Sequence, residues 1–346
     1  MFSVAARATE GPGTPFTRTT ITRRALGPRD VLIDIAYAGI CHSDIHTARN
    51  EWGPATFPLV PGHEIAGTIA AVGSEVEGFA PGERAGVGCF VDSCRSCENC
   101  RHGEEQYCRN GAVFTYNSTD KSGRPTAGGY STQIVVDERY ALHIPETIPL
   151  AEAAPLLCAG ITMFAPLRRF GAGAGRHVAI VGFGGLGHVG VKIAAAMGAE
   201  VTVLSQSLSK QDDARRLGAA HYFATSDPQT FSTLARSVDL MVSTLSANVD
   251  IADYLRLCSL GGALVNVGLP DQDFSVPPGE LSAARLSLCG SMIGGIAETQ
   301  AMLDFCGEHR LGAEVELIGG DEIDAAYDRV VRSDVRYRFV IDTARL

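Results

Sequence analysis

The strand-to-helix junction at residues 176–197 constrains this chain more than any other feature. An apolar run, Arg176–Val181, leads into Gly182-Phe183-Gly184-Gly185-Leu186-Gly187, and a helix-like segment, Gly185–Met197, follows. Glycine-rich turns are common, and the same spacing also marks simple packing turns in α/β cores. Between a strand and a helix it carries more weight. The first glycine then permits a tight turn, the second lets a pyrophosphate approach the backbone, and the third lets helix and strand pack closely. The helix N-terminus adds free N–H donors for phosphate oxygens. Ahead of the junction a helix is expected over 151–170, with Pro155 in its first turns. Beyond it the alternation continues: Glu200–Ser205 as strand, Lys210–Leu217 as helix, then Val238–Ser243, Asp250–Leu257 and Ala263–Val267. Regular alternation of this kind folds as a parallel sheet with helices on both faces, so the fold class is α/β.

The second strand ends on Ser205, where a site preferring NAD would carry Asp or Glu for the ribose hydroxyls. Ser207 and Lys210 follow, with Arg215 one helix turn on as a weaker candidate. Hydroxyls and an ammonium suit a 2′-phosphate that a carboxylate would repel, so NADP(H) fits better than NAD(H). The competing reading is that Ser207 and Lys210 merely open the next helix.

Residues up to about 150 have a different texture. Val31–Tyr37, Glu64–Val72 and Gly129–Val136 are short alternating or β-branched runs separated by Gly and Pro. The stretch 89–121 fits neither period, and long irregular segments in compact domains are usually functional. After about residue 290 come a helix over 298–309, a strand over 314–318, a helix over 321–332 and a strand over 337–341. The formal charge is −10, from 29 basic and 39 acidic side chains, which argues against a nucleic-acid surface. No run approaches the ~18–20 apolar residues of a membrane span. The N-terminus lacks the pattern of a secretory signal, which makes the cytoplasm the default location.

Of ten cysteines, four stand in Cys94-x2-Cys97-x2-Cys100-x7-Cys108. Four thiolates so spaced suit a closed tetrahedral zinc that staples a loop; they could also carry an iron–sulfur cluster, which the other motifs do not support, or serve as a redox-sensing cysteine pair. A dispersed set, Cys41 in GICHSDIH, His63-Glu64 in VPGHE and Cys158 in PLLCAG, matches a catalytic zinc with one position open. Each of these residues alone would more often be a core residue than a ligand.

GICHSDIH, PLVPGHEIAG, the four-cysteine loop, PLLCAGIT and IVGFGGLGHVGVKIA together resemble the zinc-containing medium-chain dehydrogenase/reductase superfamily. Within it they resemble the cinnamyl-alcohol dehydrogenase group, and especially its bacterial NADP-dependent type C alcohol dehydrogenases. The resemblance runs end to end. It implies a GroES-like β-rich catalytic domain (1–151 and 291–346) and a Rossmann-type doubly wound parallel sheet (152–290). It implies two zinc ions per chain: a catalytic one on Cys41, His63 and Cys158 with Glu64 as alternate ligand, and a structural one on the four-cysteine loop. Asp44 would fix the ring of His63, and Ser43 and His46 would pass the proton. His42 would lie near the pyrophosphate and Thr162 near the nicotinamide, with Gly182, Gly184, Gly185, Leu186 and Gly187 around the phosphates. The implied reaction is hydride transfer between NADP(H) and a primary alcohol or aldehyde. Pocket positions fall on Trp52, Cys89, Phe114, Met292 and Ile293, an apolar set favouring hydrophobic or aryl substrates. Relatives are commonly homodimers. Two other readings stand beside this one: a polyol or sugar dehydrogenase on the same plan, and a non-catalytic NADPH-binding protein on the same fold.

Overall fold

The computed structural model describes Met1–Leu346, which form two compact units: Met1–Cys158 with Gly294–Leu346, and Ala159–Ile293. The divisions fall a few residues later than the 151/152 and 290/291 expected from sequence. The segment Leu150–Leu157 stays in the first unit because it packs on the strands Asp30–Gly39 and Ile65–Val72 of that unit. At the other end Ser291 still donates its N–H to the Asn266 carbonyl (3.2 Å), which holds the chain to the second unit past residue 290.

The first unit is built on a seven-stranded sheet. Its strands run in the order Val315–Ile318, Arg338–Asp342, Asp30–Gly39, Ile65–Val72, Arg84–Val87 and Leu142–His143, and Gln133–Asp137 also pairs with Asp30–Gly39. Alternation explains the central strand: Val31, Ile33 and Ile35 are buried while Asp34 between them is exposed. An N-terminal hairpin, Phe2–Ala8 with Thr17–Arg23, and a short helix, His42–Ala48, carry no strong pattern and were not expected. The strand expected over 129–136 begins only at Gln133. Residues 128–130 instead give their N–H groups to the carbonyls of Val60, Gly62 and Pro61, which ties down the loop that carries His63.

The helix expected over 151–170 is three pieces: Leu150–Ala153, a 3-10 turn over Ala154–Leu157, and Ala159–Arg169. The break is at Cys158 (φ −128°, ψ −66°), directly after the 3-10 turn that contains Pro155.

The second unit is a six-stranded parallel sheet in the order His221–Ala224, Glu200–Ser205, His177–Val181, Val238–Ser243, Cys258–Asn266, Ser287–Gly290. Numbered along the chain this is 3-2-1-4-5-6, the doubly wound order whose crossover reverses beside the first strand. No single helix in the chain is long and apolar enough to cross a membrane.

Candidate active site and metal centres

Ligand atoms of Cys41, His63, Glu64 and Cys158 all lie within 4.8 Å of one another in the first unit, and all four residues are buried. Each arrives differently. Cys41 ends the segment after the central strand and caps the helix His42–Ala48; its N–H donates to Asp44 Oδ2 at 2.8 Å. His63 and Glu64 come from the loop before the strand Ile65–Val72, and Cys158 from the helix break. The thiols of Cys41 and Cys158 are 4.0 Å apart. Thiolates held about 2.3 Å from one tetrahedral ion stand about 3.8 Å apart, so the pair fits a shared zinc.

Asp44 is fully buried, and its Oδ1 lies 3.1 Å from His63 Nδ1. With Nδ1 so engaged, Nε2 is the nitrogen left for a metal. Burial disfavours the imidazolium, but Asp44, together with the thiols of Cys89 and Cys41, outweighs it and raises the His63 pKa. Of the two thiols, Cys41 is the one lowered, first by the hydrogen bond from Cys158 and against the cost of burial.

Glu64 does not stand alone beside the cysteines. Arg338 Nη2 reaches both its oxygens at 2.5 and 2.6 Å and also donates to the Ile40 carbonyl at 2.7 Å. Burial pushes the Glu64 carboxyl upward while the guanidinium pulls it down and is itself held more firmly protonated. The contact distances favour the ion pair. Sequence reading missed Arg338; the available signal was an arginine opening the apolar run RFVID, where a buried charge needs a partner.

Ser43 and His46 lie three residues apart on the helix His42–Ala48 and therefore share a face. Ser43 Oγ is 3.6 Å from Cys41 Sγ. His46 Nδ1 contacts the carboxylate of Glu51, a partner sequence reading also missed because the helix has ended by then and no local motif marks it. Trp52 stacks on the His46 ring with centroids 4.7 Å apart. His42 is exposed on the first turn of the same helix.

The expected pocket residues separate into groups. Cys89 Sγ sits 3.9 Å from the Leu157 carbonyl, and its thiol is lowered by a hydrogen bond with Cys158. Phe114 pairs across a two-stranded ribbon with Phe90, and Thr115 N–H donates to the Cys89 carbonyl. Trp52, Phe114 and Met292 are 50%, 44% and 42% exposed, so these apolar side chains do not form a closed core. Met292 and Ile293 end the second unit. Ile293 has φ +41°, which is strained for a β-branched residue.

The four-cysteine loop gathers as its spacing suggests: the sulfurs of Cys94, Cys97, Cys100 and Cys108 lie within 4.8 Å of one another. Sγ separations are 3.4 Å for Cys97–Cys100 and 3.9 Å for Cys94–Cys100. These are edges of a tetrahedron around one ion; thiolates of an iron–sulfur cluster bind separate irons and stand wider. Backbone N–H groups of Ser96 and Cys97 hold the Cys94 thiol down at about 5, whereas burial pushes Cys100 up to about 11. The loop is anchored by Ser93 Oγ on Tyr140 Oη (2.8 Å) and by Arg95 on Asp92 and Asp137.

In the second unit the three glycines differ as a dinucleotide loop requires. Gly182 has φ +90°, and a Cβ there would meet Thr244 Oγ1 at 2.4 Å. A Cβ on Gly187 would lie 1.9 Å from the Gly182 carbonyl oxygen, whereas one on Gly184 would meet nothing within 4 Å. The first and third are forced by the turn and by packing, and the second faces open space. Leu186 caps the helix Gly187–Ala196. Ser205 is half-buried at its strand end, and Lys210 Nζ reaches back to the Phe183 carbonyl at 3.3 Å, beside the glycine loop. Ser207 caps the short turn Leu208–Lys210, so it does open the next element. Thr162 is buried on the helix Ala159–Arg169.

A cysteine–histidine metal site on a β-rich unit, joined in one chain to a doubly wound sheet with a glycine loop, defines a zinc-dependent dinucleotide oxidoreductase. The alcohol dehydrogenase GroES-like domain family matches residues 27–146, and the zinc-binding dehydrogenase family matches residues 185–308. The chain is 60% identical to NADP-dependent alcohol dehydrogenase C of Mycobacterium tuberculosis, with all of both proteins covered. It is 48% identical to probable cinnamyl alcohol dehydrogenase 3 of Oryza sativa, covering 98% of this chain and 92% of that one. Among solved structures, a cinnamyl alcohol dehydrogenase of Sorghum bicolor matches with TM-score 0.96 and 40% identity, covering 99% of this chain and 98% of that one. The Helicobacter pylori enzyme complexed with NADP(H) matches with TM-score 0.93 and 42% identity, covering 99% of both. The chain belongs to the zinc-containing alcohol dehydrogenases of the medium-chain dehydrogenase/reductase superfamily, in the cinnamyl-alcohol dehydrogenase group.

Proposed function

We propose that the protein interconverts primary alcohols and aldehydes by hydride transfer with NADP(H), using one catalytic and one structural zinc. The observation that carries this reading is the convergence of Cys41, His63 and Cys158 in a chain that also presents a dinucleotide loop. Cys41, His63 and Cys158 hold the catalytic ion, and Glu64, paired with Arg338, stands by as an alternate ligand. A zinc ion bound there supplies Lewis acidity toward the alcohol or carbonyl oxygen. Ser43 accepts the alcohol proton and passes it toward His46, whose ring is steadied by Glu51 and Trp52. Cys94, Cys97, Cys100 and Cys108 hold the structural ion.

On the cofactor side, Gly182, Gly184, Gly185, Leu186 and Gly187 with His42 cradle the pyrophosphate, and Thr162 lies toward the nicotinamide. Ser205, Ser207 and Lys210 receive the 2′-phosphate. The apolar, partly aromatic set Trp52, Cys89, Phe114, Met292 and Ile293 favours hydrophobic or aryl aldehydes over polyols. The same reading makes the enzyme a cytoplasmic homodimer that works in the direction of aldehyde reduction.

The test is a panel of aldehydes assayed with NADPH and then NADH. Faster turnover of cinnamaldehyde with NADPH than of sorbitol with NADP+ is expected, and the reverse order would favour the polyol reading. Ser43→Ala is expected to slow turnover by about a hundredfold, the lower end of what a positioned proton-transfer group contributes, with zinc content intact. Unchanged rates would remove the relay. Ser205→Asp is expected to lower kcat/KM for NADPH relative to NADH by roughly tenfold or more, since a carboxylate there repels the phosphate and ~1.4 kcal/mol is one decade. An unshifted preference would discredit the phosphate site.

A further inference from the structure

Three buried tyrosines surround the catalytic centre without contributing a ligand to it: Tyr116, Tyr130 and Tyr327. Two of them form a chain. Tyr327 Oη lies 3.3 Å from Tyr130 Oη, and Tyr130 Oη lies 3.3 Å from Asp44 Oδ2. Asp44 and Tyr130 are both 0% exposed, so no solvent substitutes for either contact. An ionised carboxylate only accepts, so Tyr130 must donate to Asp44, and its own oxygen is left to accept from Tyr327. The chain therefore has one direction, from the helix Ile323–Val331 to the carboxylate that holds His63.

Asp44 takes four donors in all: the N–H groups of Cys41 (2.8 Å) and Gly62 (3.2 Å), His63 Nδ1 (3.1 Å) and the Tyr130 hydroxyl. Three of these sit on or beside metal-site residues, so rotating the carboxylate would move the ligand set. Tyr130 is the only side chain besides His63 that fixes its plane. The site is also shaped around Tyr130: Gly62 has φ +104°, and a Cβ there would meet Tyr130 Cδ1 at 2.7 Å. Phe16 packs on both rings, at 5.9 Å from Tyr130 and 5.3 Å from Tyr327.

We infer that Tyr130, oriented by Tyr327, is a positioning residue for the catalytic metal, acting through Asp44 on the His63 imidazole. The inference rests on His63 being a metal ligand, as proposed above. Outer partners of ligating histidines set ring orientation and ligand basicity, and their loss typically costs ~10–100-fold in metal affinity.

The experiment uses the full-length holoenzyme and its Tyr130→Phe and Tyr327→Phe variants. Zinc release to a chelator is followed, and the absorption spectrum is recorded after Co2+ replaces the catalytic zinc. Tyr130→Phe is expected to speed release of one of the two metal ions about tenfold and to shift the cobalt d–d bands, with Tyr327→Phe moving both the same way by less. Thermal unfolding is measured alongside. A lower melting temperature with the release rate and cobalt spectrum of the parent would mean a purely structural role and would overturn the inference. Should Tyr130→Phe not fold, Tyr327→Phe decides on the same two readouts. If His63→Ala kept both metal ions, the underlying reading of the site would fail instead, which separates the two outcomes.

Discussion

A chain carrying His63→Ala is expected to hold one zinc ion instead of two and to lose about three orders of magnitude in kcat/KM for aldehyde reduction. The size follows from what the ion supplies: Lewis-acid stabilisation is worth several kcal/mol, and each ~1.4 kcal/mol is about tenfold in rate. The imidazole is the only nitrogen donor in a set otherwise made of Cys41, Cys158 and Glu64. Its removal also takes from Asp44, a fully buried carboxylate, one of its four donors, the ring it faces at 3.1 Å. Losing one hydrogen bond to a buried group costs about 1–3 kcal/mol, so a lower melting temperature should accompany the lost activity. Metal analysis of purified protein with steady-state kinetics reads both. Two zinc ions per chain in the variant, or near-parental kcat/KM, would take His63 out of the site.

The second large effect is expected at the thiolate loop. Cys100→Ser should cost the other zinc ion and lower the melting temperature by on the order of 10 °C, since structural zinc contributes folding free energy outright and each ~1 kcal/mol is worth ~2–4 °C in a chain of this class. Beyond the polar anchors of Ser93, Arg95 and Glu105, the loop has little regular structure to hold it. Its own elements are the strands Phe90–Asp92 and Val113–Phe114, a four-residue helix, Glu98–Arg101, and a 3-10 turn, Glu105–Tyr107. Cys100 is the central sulfur, close to both Cys94 and Cys97 and 3.3 Å from Ser93 Oγ. Limited proteolysis should then cut within residues 94–108 of the variant before the rest of the chain. An unchanged zinc count together with the parental melting temperature would remove the staple.

The consequences of a lost loop should reach beyond it. The Glu105 carboxylate accepts the Ile296 N–H at 3.1 Å and so caps the helix Ile296–His309, whose own N-cap is a glycine. A Cβ on that Gly295 would meet the Gly103 carbonyl oxygen at 1.8 Å, so loop and helix are fitted to each other. The loop thus supports the segment by which the chain re-enters the first unit.

Local pattern made part of this legible from residues alone. The four cysteines of the loop stand within fifteen residues, and once the backbone turns they can only meet one another. The alternation of the second unit and its three unequal glycines are likewise local, because turn geometry and strand period act over a few residues. The strands Glu200–Ser205 and Val238–Ser243 fall where the apolar pattern places them. Donor identity is also sequence information: thiolates and imidazole suit zinc.

Meeting is what the tertiary structure decided. Cys41 and Cys158 are 117 residues apart, and Glu64 and Arg338 are 274 apart; sheet pairing and a helix broken at Cys158 bring them together. The apolar spacing over 151–170 favours a continuous helix, although Pro155, Gly160 and Pro166 weaken it. Packing on the first unit's sheet overrides it, and the break leaves Cys158 beside Cys41 and His63. Arg338, Tyr130 and Tyr327 escaped the reading for the same reason. Their roles are set by which buried groups need partners, and that need exists only once distant strands and helices have excluded water.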